Sequence, residues 1–368
     1  MKTKLAVSLN PELSKAVSEI SRGIADRDAR LVVYYASTTY DPVPLAQQMA
    51  LAFPGIPTVG CTTAGEIVSG RMLQGSLVAM ALGSELVARA EARLLTQIAR
   101  DTRGAVAAAL ADFSRAYGRG IGQLDPERYV GIVLADGLSG AEERLMDALG
   151  DQTNVPFVGG SAGDDLKFQK TRVFLGPDAV SNAAVLVLIE PAVPFQIVKT
   201  QSFRALPKRL VATKVNEPMR RVIELDGEPA ASAYARAVGL PVEQAQTRFM
   251  RNPLGLLAGD EIFVRSPQRI EGGSIYFYCA ILEGTELALL ESTDIITDTQ
   301  NALAAVKDAA AILDFDCILR TLELRDKGQC DRYAGLFAKT PTLGFSTYGE
   351  EYIGHINQTS TMLVFRSR

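Results

Sequence analysis

Pro57-Thr-Val-Gly-Cys-Thr-Thr-Ala-Gly-Glu66 and Pro341-Thr-Leu-Gly-Phe-Ser-Thr-Tyr-Gly-Glu350 agree at Pro, Thr, Gly, Thr, Gly and Glu, with Thr62 answering Ser346. A middle copy, Pro156-Phe-Val-Gly-Gly-Ser-Ala-Gly-Asp164, is shorter by a single residue. Each copy follows an apolar run and then a helix-like stretch: Leu31–Tyr35 with Val43–Phe53, Val130–Leu134 with Gly140–Leu149, and Phe315–Leu319 with Gln329–Phe337. Another strand-like run comes after each, over Leu77–Leu82, Ala183–Ile189 and Thr359–Phe365. The pattern is strand–helix–strand–loop–strand used three times, with the phrase as the loop leaving the second strand. Irregular intervals and long insertions exclude a solenoid and point to pseudo-symmetric domains.

The fold expected is therefore α/β, with mixed sheets built from repeated strand–helix–strand units in two domains, 1–200 and 201–368. The boundary falls near residues 190–210, where Glu190-Pro191, Pro194 and Pro207 break the pattern. Between the repeats, helices are expected over 11–23, with Asn10 as cap and Pro11 at its first turn, and over 101–117. The second half reads as a strand 210–215, helices near 218–222, 228–238 and 241–248, a loop 249–256, and antiparallel strands 263–265, 273–282 and 286–292. A long helix follows over 295–313. Strands are also expected over 169–174 and 194–203.

Composition narrows the function. The 368 residues carry 38 Lys and Arg against 42 Asp and Glu, a net charge of −4 without a basic tract, which disfavours nucleic-acid binding. Cys61, Cys279, Cys317 and Cys330 form no CxxC pair, so a structural zinc is not expected and a reducing cytoplasm fits. No run reaches the roughly 18–20 apolar residues of a membrane span, and no signal peptide is visible at the start. The single histidine, His355, excludes two-histidine metal sites and leaves one candidate base for a hydrolase triad.

Ligands of α/β sheets collect at loops beyond the carboxyl ends of strands, which directs attention to the phrases. Their hydroxyls and exposed N–H groups can donate and their closing carboxylates accept. The candidate ligand-binding residues are Cys61, Thr62, Thr63, Glu66, Ser161, Asp164, Ser346, Tyr348, Glu350 and Asn357, with Arg251 and Asn252 able to hold a carboxylate. Against this stands a purely structural role: glycines for packing, carboxylates hydrogen-bonded to rigidify loops. Cys61 is either a thiolate activated in a tight loop or a small packing residue, and Phe345 at the equivalent position shows that an apolar side chain serves there. An enzyme using Cys61 or paired phrase carboxylates is the alternative from another class. Gly159-Gly-Ser-Ala-Gly163 is neither GxGxxG nor a Walker loop.

The words Val59-Gly-Cys-Thr-Thr-Ala-Gly-Glu66, Gly159-Gly-Ser-Ala-Gly-Asp164, Asn252-Pro-Leu-Gly255, Gly344-Phe-Ser-Thr-Tyr-Gly-Glu350 and Asn357-Gln-Thr359 resemble the FIST family, a sensory input module of bacterial signal transduction. The resemblance spans nearly the whole chain, with residues 1–200 similar to FIST N and 201–368 to FIST C. It implies a non-enzymatic, cytoplasmic protein that binds a small molecule and relays to a partner, with homo-oligomerisation left open. A looser resemblance, to the haem-containing nitric-oxide-sensing branch, implies that the partner is a histidine kinase or cyclic-di-GMP enzyme. It also implies haem b on His355, held non-covalently because no CxxCH is present. The alternative is an amino-acid or small-metabolite sensor without haem.

Overall fold

The computed structural model describes residues 3–259 and 261–367. The chain forms two compact units: residues to Lys199 with Ala302–Gly354 and Ser360 onward, and Thr200–Asn301 with His355–Thr359. Beyond the first passage at residue 199 the chain thus re-enters the first unit at Ala302, because the third repeat belongs there.

The first unit contains three mixed sheets with the same strand order. Around the first phrase the order is Thr3–Ser8, Leu77–Gly83, Ala29–Ser37, Thr58–Thr63, Val173–Leu175 and Asp178–Val180. Around the third it is Phe195–Gln201, Thr359–Arg366, Ala309–Cys317, Thr342–Thr347, Glu66–Val68 and Arg71–Leu73. Around the middle copy, Val87–Thr96, Ala183–Pro191, Val130–Ala135, Phe157–Ser161 and Glu350–Tyr352 follow the same path. The two central strands are parallel in every sheet, with Ala36 opposite Thr62, Ala135 opposite Ser161 and Asp316 opposite Ser346. A helix crosses between them, over Pro42–Ala52, Glu142–Gly150 or Ile318–Asp326.

The sheets exchange strands in a ring. The short strand leaving the first phrase, Glu66–Val68, pairs with the third phrase strand. The one leaving the third, Glu350–Tyr352, pairs with the middle phrase strand, and Val173–Leu175, after the middle copy, pairs with the first. The inner faces of all three sheets share one core, which includes Tyr35, Cys61, Leu134, Val158, Phe315 and Phe345. Outer faces are covered separately: Leu13–Ile24 and Pro42–Ala52 cover the first sheet, Thr102–Tyr117 and Glu142–Gly150 the middle one.

The repeated glycine has a packing cause. A Cβ at Gly60 would lie 1.9 Å from the Tyr34 carbonyl oxygen, at Gly159 1.7 Å from that of Val133, and at Gly344 2.4 Å from that of Asp314. In each sheet the phrase strand presses onto its parallel neighbour at that point, and neither backbone can retreat. Gly159→Ala is expected to destabilise the first unit by ~2–3 kcal/mol, the upper range for overpacking a closed core; a urea midpoint matching that of the parent protein would refute this origin for the glycine.

The second unit is an antiparallel sheet ordered Glu261–Arg265, Leu254–Ala258, Glu286–Ser292, Phe203–Asn216, Arg221–Leu225, Ser274–Phe277 and Pro267–Glu271. Helix Ala230–Val238 packs on it through Ala230, Ala231 and Tyr234, against Leu210, Leu225 and Ile275.

Several local expectations are corrected. The long helix 295–313 is a helix Ile295–Ala304 followed by a strand Ala309–Cys317. Ala309-Ala-Ala has helical propensity, but pairing on both sides, with Thr342–Thr347 and Thr359–Arg366, overrides it. The strand assigned to 315–319 therefore ends at Cys317, and Ile318 opens a helix. A helix near 218–222 gives way to one turn, Glu217–Met219, capped by the Asn216 side chain, and a strand Arg221–Leu225. The expected strand 169–174 shrinks to Val173–Leu175, because Gln169 and Lys170 give their N–H groups to Asp164. The 249–256 loop contains the start of strand Leu254–Ala258.

Candidate functional site

The three phrases meet end to end within the first unit. Tyr348 N–H donates to the Ser161 carbonyl (3.0 Å), Gly163 N–H to that of Thr62 (2.9 Å), and Ala64 N–H to that of Ser346 (3.3 Å). These are equivalent positions in the three copies, so the phrases close a pseudo-threefold ring. Expected as loops, they are strands over Thr58–Thr63, Phe157–Ser161 and Thr342–Thr347, because each pairs with a parallel neighbour, and only their ends turn. Return bonds run from Ser161 N–H to the Gly349 carbonyl and from Ser346 N–H to that of Gly65, each 2.8 Å. At the third join Thr62 N–H goes to Arg172 instead (2.9 Å), because the middle copy continues into a longer excursion.

The phrase side chains are buried in this ring, and most bond to one another. Glu66 accepts from the Thr63 hydroxyl and from Ser76 through its N–H (3.1 Å) and Oγ (2.6 Å). Burial pushes its carboxyl up to about 7 against those three donors. Glu350 repeats the first contact, accepting from the Thr347 hydroxyl at 2.5 Å. Asp164 is held differently. Burial raises its carboxyl, but the Tyr348 hydroxyl (2.5 Å) and the N–H groups of Phe168, Gln169 and Lys170 outweigh burial and bring it below the usual range. Ser161 Oγ donates to Glu351 (3.1 Å), Ser346 Oγ pairs with Thr321 Oγ1 (2.7 Å), and Thr62 Oγ1 accepts from Arg172 N–H (3.0 Å). Cys61 faces the shared core, and burial pushes its thiol well above the ordinary value, which works against thiolate chemistry.

After Asp164 the backbone takes left-handed conformations at Asp165, Leu166 and Phe168, with φ of 54°, 64° and 52°. Asp165 pins this segment by accepting from Ser37 Oγ (3.0 Å), Thr38 N–H (2.9 Å) and Thr38 Oγ1 (2.5 Å). Phe168, 48% exposed, stacks on Tyr348 with ring centroids 4.7 Å apart. Tyr348 was a candidate from the sequence, whereas Asp165 and Phe168 were not; the acidic pair Asp164-Asp165 was the available signal.

A further buried group lies on the outer face of the third sheet. Asp314 and Asp316 occupy positions that are Tyr34 and Ala36 in the first repeat and Val133 and Ala135 in the middle one. Asp316 accepts from Arg320 Nε (2.8 Å), Tyr333 Oη (3.0 Å) and Thr321 Oγ1 (3.3 Å). Asp314 accepts from Ser360 Oγ (2.7 Å), and its second oxygen has no hydrogen-bond partner. Burial and the neighbouring Asp316 push the Asp314 carboxyl up to about 8. Acids at alternate positions of an apolar strand, with Arg four residues on, were the sequence signal for this cluster.

The remaining candidates belong to the second unit. Arg251 is exposed, and the Asn252 amide nitrogen donates to the Leu290 carbonyl (3.0 Å). His355 and Asn357 lie in the segment His355–Thr359 and are 4% and 1% exposed. Gln358 anchors that segment, accepting from Ser266 Oγ (2.7 Å) and donating to the Met250 carbonyl (3.2 Å), the residue before Arg251. Asn357 differs from every other candidate: both its amide oxygen and its amide nitrogen are buried without a hydrogen-bond partner. Among the described residues no cluster of three metal-ligating side chains occurs, and no helix is long and apolar enough to cross a membrane.

The FIST N domain family matches residues 30–228 and the FIST C domain family residues 230–352. The chain belongs to the FIST family. FIST domains are ligand-binding sensory modules of signal transduction, and both halves of that module are present here. An uncharacterised protein of Methanocaldococcus jannaschii is 25% identical over 198 residues, which are 50% of this chain and 38% of that protein. The chain thus spans well under two thirds of the curated relative it matches.

Proposed function

We propose that this FIST-family chain senses a small polar metabolite, of the amino-acid or carboxylate class, and that Asn357 makes a central contact with it. The observation that carries this reading is the Asn357 carboxamide, 1% exposed and unpartnered at both atoms. Leaving a buried donor or acceptor unmade costs ~1–3 kcal/mol per group, so the arrangement is economical only if something outside the chain completes it. The amide nitrogen suits a carboxylate oxygen and the amide oxygen suits an ammonium or hydroxyl donor, a pair that amino acids supply on adjacent atoms. Arg251, next to the residue that anchors Gln358, offers an exposed guanidinium to the same class of ligand. Downstream, the reading includes relay to a histidine kinase or cyclic-di-GMP enzyme.

Haem on His355 is the competing version. The segment His355–Thr359 sets one apolar side chain, Ile356, beside the amides and hydroxyl of Asn357, Gln358 and Thr359, a predominantly polar set that does not fit an apolar macrocycle.

A thermal-shift screen of amino acids and small carboxylates tests the proposal. A ligand at a hundred times its Kd stabilises the native state by ~2.7 kcal/mol. Asn357→Leu is expected to abolish that shift while leaving the ligand-free protein as stable or more so, since two orphaned polar atoms disappear. A shift retained in Asn357→Leu, or no shift from any compound, would count against the assignment. A Soret band after purification from haem-supplemented cells, lost in His355→Ala, would replace it with haem sensing.

A further inference from the structure

The sheet of the middle repeat ends at the strand Val87–Thr96. Which of its backbone groups are free follows from the register. The neighbouring strand Ala183–Pro191 places Ala184 opposite Leu95, Leu186 opposite Arg93 and Leu188 opposite Glu91. On its other side Asp136 N–H donates to the Ala183 carbonyl (2.9 Å), so Ala183 and, by alternation, Val185 and Val187 turn their backbone groups toward Val130–Ala135. The even-numbered residues then bond Leu95, Arg93 and Glu91. The N–H and carbonyl groups of Ala92, Leu94 and Thr96 are left pointing out of the sheet. That of Ala92 is partly covered, because its carbonyl accepts from the Arg93 guanidinium (2.7 Å), whereas Leu94 and Thr96 present a donor and an acceptor each.

A groove of about 560 Å³ is lined by these two residues, by Ala105, Ala108 and Asp112 of helix Thr102–Tyr117, and by Arg100. The alanines leave space at the helical spacing where longer side chains would fill it. Most charges bordering the groove are already engaged. Arg93 is held by Glu91 (3.4 Å) and Asp112 (3.5 Å), and Asp101 caps the helix by accepting from Gly104 N–H (2.9 Å). Arg100 makes no ion pair or side-chain hydrogen bond among the described residues. It also borders a second hollow of about 280 Å³ that includes Arg103, Arg144 and Asp147.

We propose that this edge and groove dock an extended peptide segment bearing a carboxylate, which adds a strand beside Leu94–Thr96 and places the carboxylate on Arg100. A row of main-chain donors and acceptors at the strand repeat is complemented by another extended backbone and not by a compact anion. Arg100 is the charged side chain lining the groove that has neither an ion pair nor a side-chain hydrogen bond among the described residues, and a cation with its donors free suits a carboxylate. The source is an acidic side chain or a peptide C-terminus. The proposal is independent of the ligand assigned to Asn357.

The test is fluorescence anisotropy with an array of labelled hexapeptides, carrying valine, isoleucine or threonine at alternate positions and one terminal glutamate, with free or amidated C-termini. Saturable binding to the full-length protein is expected from a subset. Arg100→Ala should weaken it about tenfold, as loss of one charge-assisted hydrogen bond does. Thr96→Pro removes an outward N–H that no neighbouring strand uses, so it should weaken binding comparably with the thermal midpoint unchanged. Loss on amidation assigns the carboxylate to the C-terminus, and retention assigns it to glutamate. Absence of saturable binding across the array, or equal binding by both variants and the parent protein, overturns the proposal. A dimer in sedimentation equilibrium that Thr96→Pro dissociates overturns it in favour of a second copy of this chain.

Discussion

Replacing Arg320 by alanine is expected to cost about 3–5 kcal/mol, the penalty for stranding one member of a buried ion pair. The Arg320 and Asp316 side chains are 2% and 0% exposed and meet at 2.8 Å, four residues apart at the junction of strand Ala309–Cys317 and helix Ile318–Asp326. Burial pushes Asp316 up, while Arg320, Tyr333 and Thr321 oppose that by bonding its charged form. Without the guanidinium the carboxylate must either stay charged while buried beside Asp314 or take up a proton. The double variant Asp316→Leu with Arg320→Met separates the two components of this cost. It removes both charges and keeps volume, so it should recover most of the lost stability. Chemical denaturation of the three proteins at neutral pH measures the effect. A loss below about 1 kcal/mol for Arg320→Ala would show that the pair is solvated in solution.

Stability is expected to fall as the pH rises from about 4.5 to 8, the reverse of the usual acid-side loss. Burial raises Glu66 from an ordinary 4.5 to about 7, and burial with Asp316 raises Asp314 from 3.8 to about 8. A carboxyl whose value is higher in the folded than in the unfolded chain binds its proton more tightly when folded. Its contribution is complete below the unfolded value and is lost as the pH passes through the folded one. For Glu66 alone the rise is worth about 3 kcal/mol at most. Asp164 is lowered and acts oppositely, but only as the pH drops toward its ordinary 3.8, below this window. The groups acting on Asp314 are Asp316, Ser360, Arg320 and Glu350. Asp314→Asn and Glu66→Gln should each flatten the slope of the urea midpoint between pH 5 and 8. A slope unchanged in both variants would place the pH dependence elsewhere.

Much of the architecture was legible in the residues. Three copies of one phrase, each between strand-like runs, specified three strand–helix–strand units, because alternation and apolar runs reflect local geometry that the chain cannot avoid. The helix expected over 101–117 is a case in point: Asp101 caps it, and Gly118 ends it with φ of 67°. The errors fell where local preference and pairing conflict. Ala309-Ala-Ala-Ile-Leu313 has the composition of a helix and is a central strand, since hydrogen bonds to two neighbours distant in sequence outweigh a few tenths of a kcal/mol of propensity per residue.

The phrases show most clearly what lies beyond local reading. From the sequence, a loop of glycines, hydroxyls and a carboxylate serves ligand binding or rigidity equally well. The spacing of its glycine is explained only by the carbonyl of the parallel strand beside it, and its N–H groups by the next phrase in the ring. The same holds for Asn357, one of several ligand-binding candidates in the sequence, whose amide is singled out among them only by burial without partners. By itself the sequence determined the repeat, the element types where no distant pairing opposed local preference, the family and the absence of a two-histidine metal site, all of which depend on residue identity and near neighbours. Tertiary structure decided the cyclic exchange of strands, the return of the chain after residue 302 and which polar atoms go unsatisfied. Those depend on contacts between residues a hundred or more positions apart, and a single sequence holds no local signal for them.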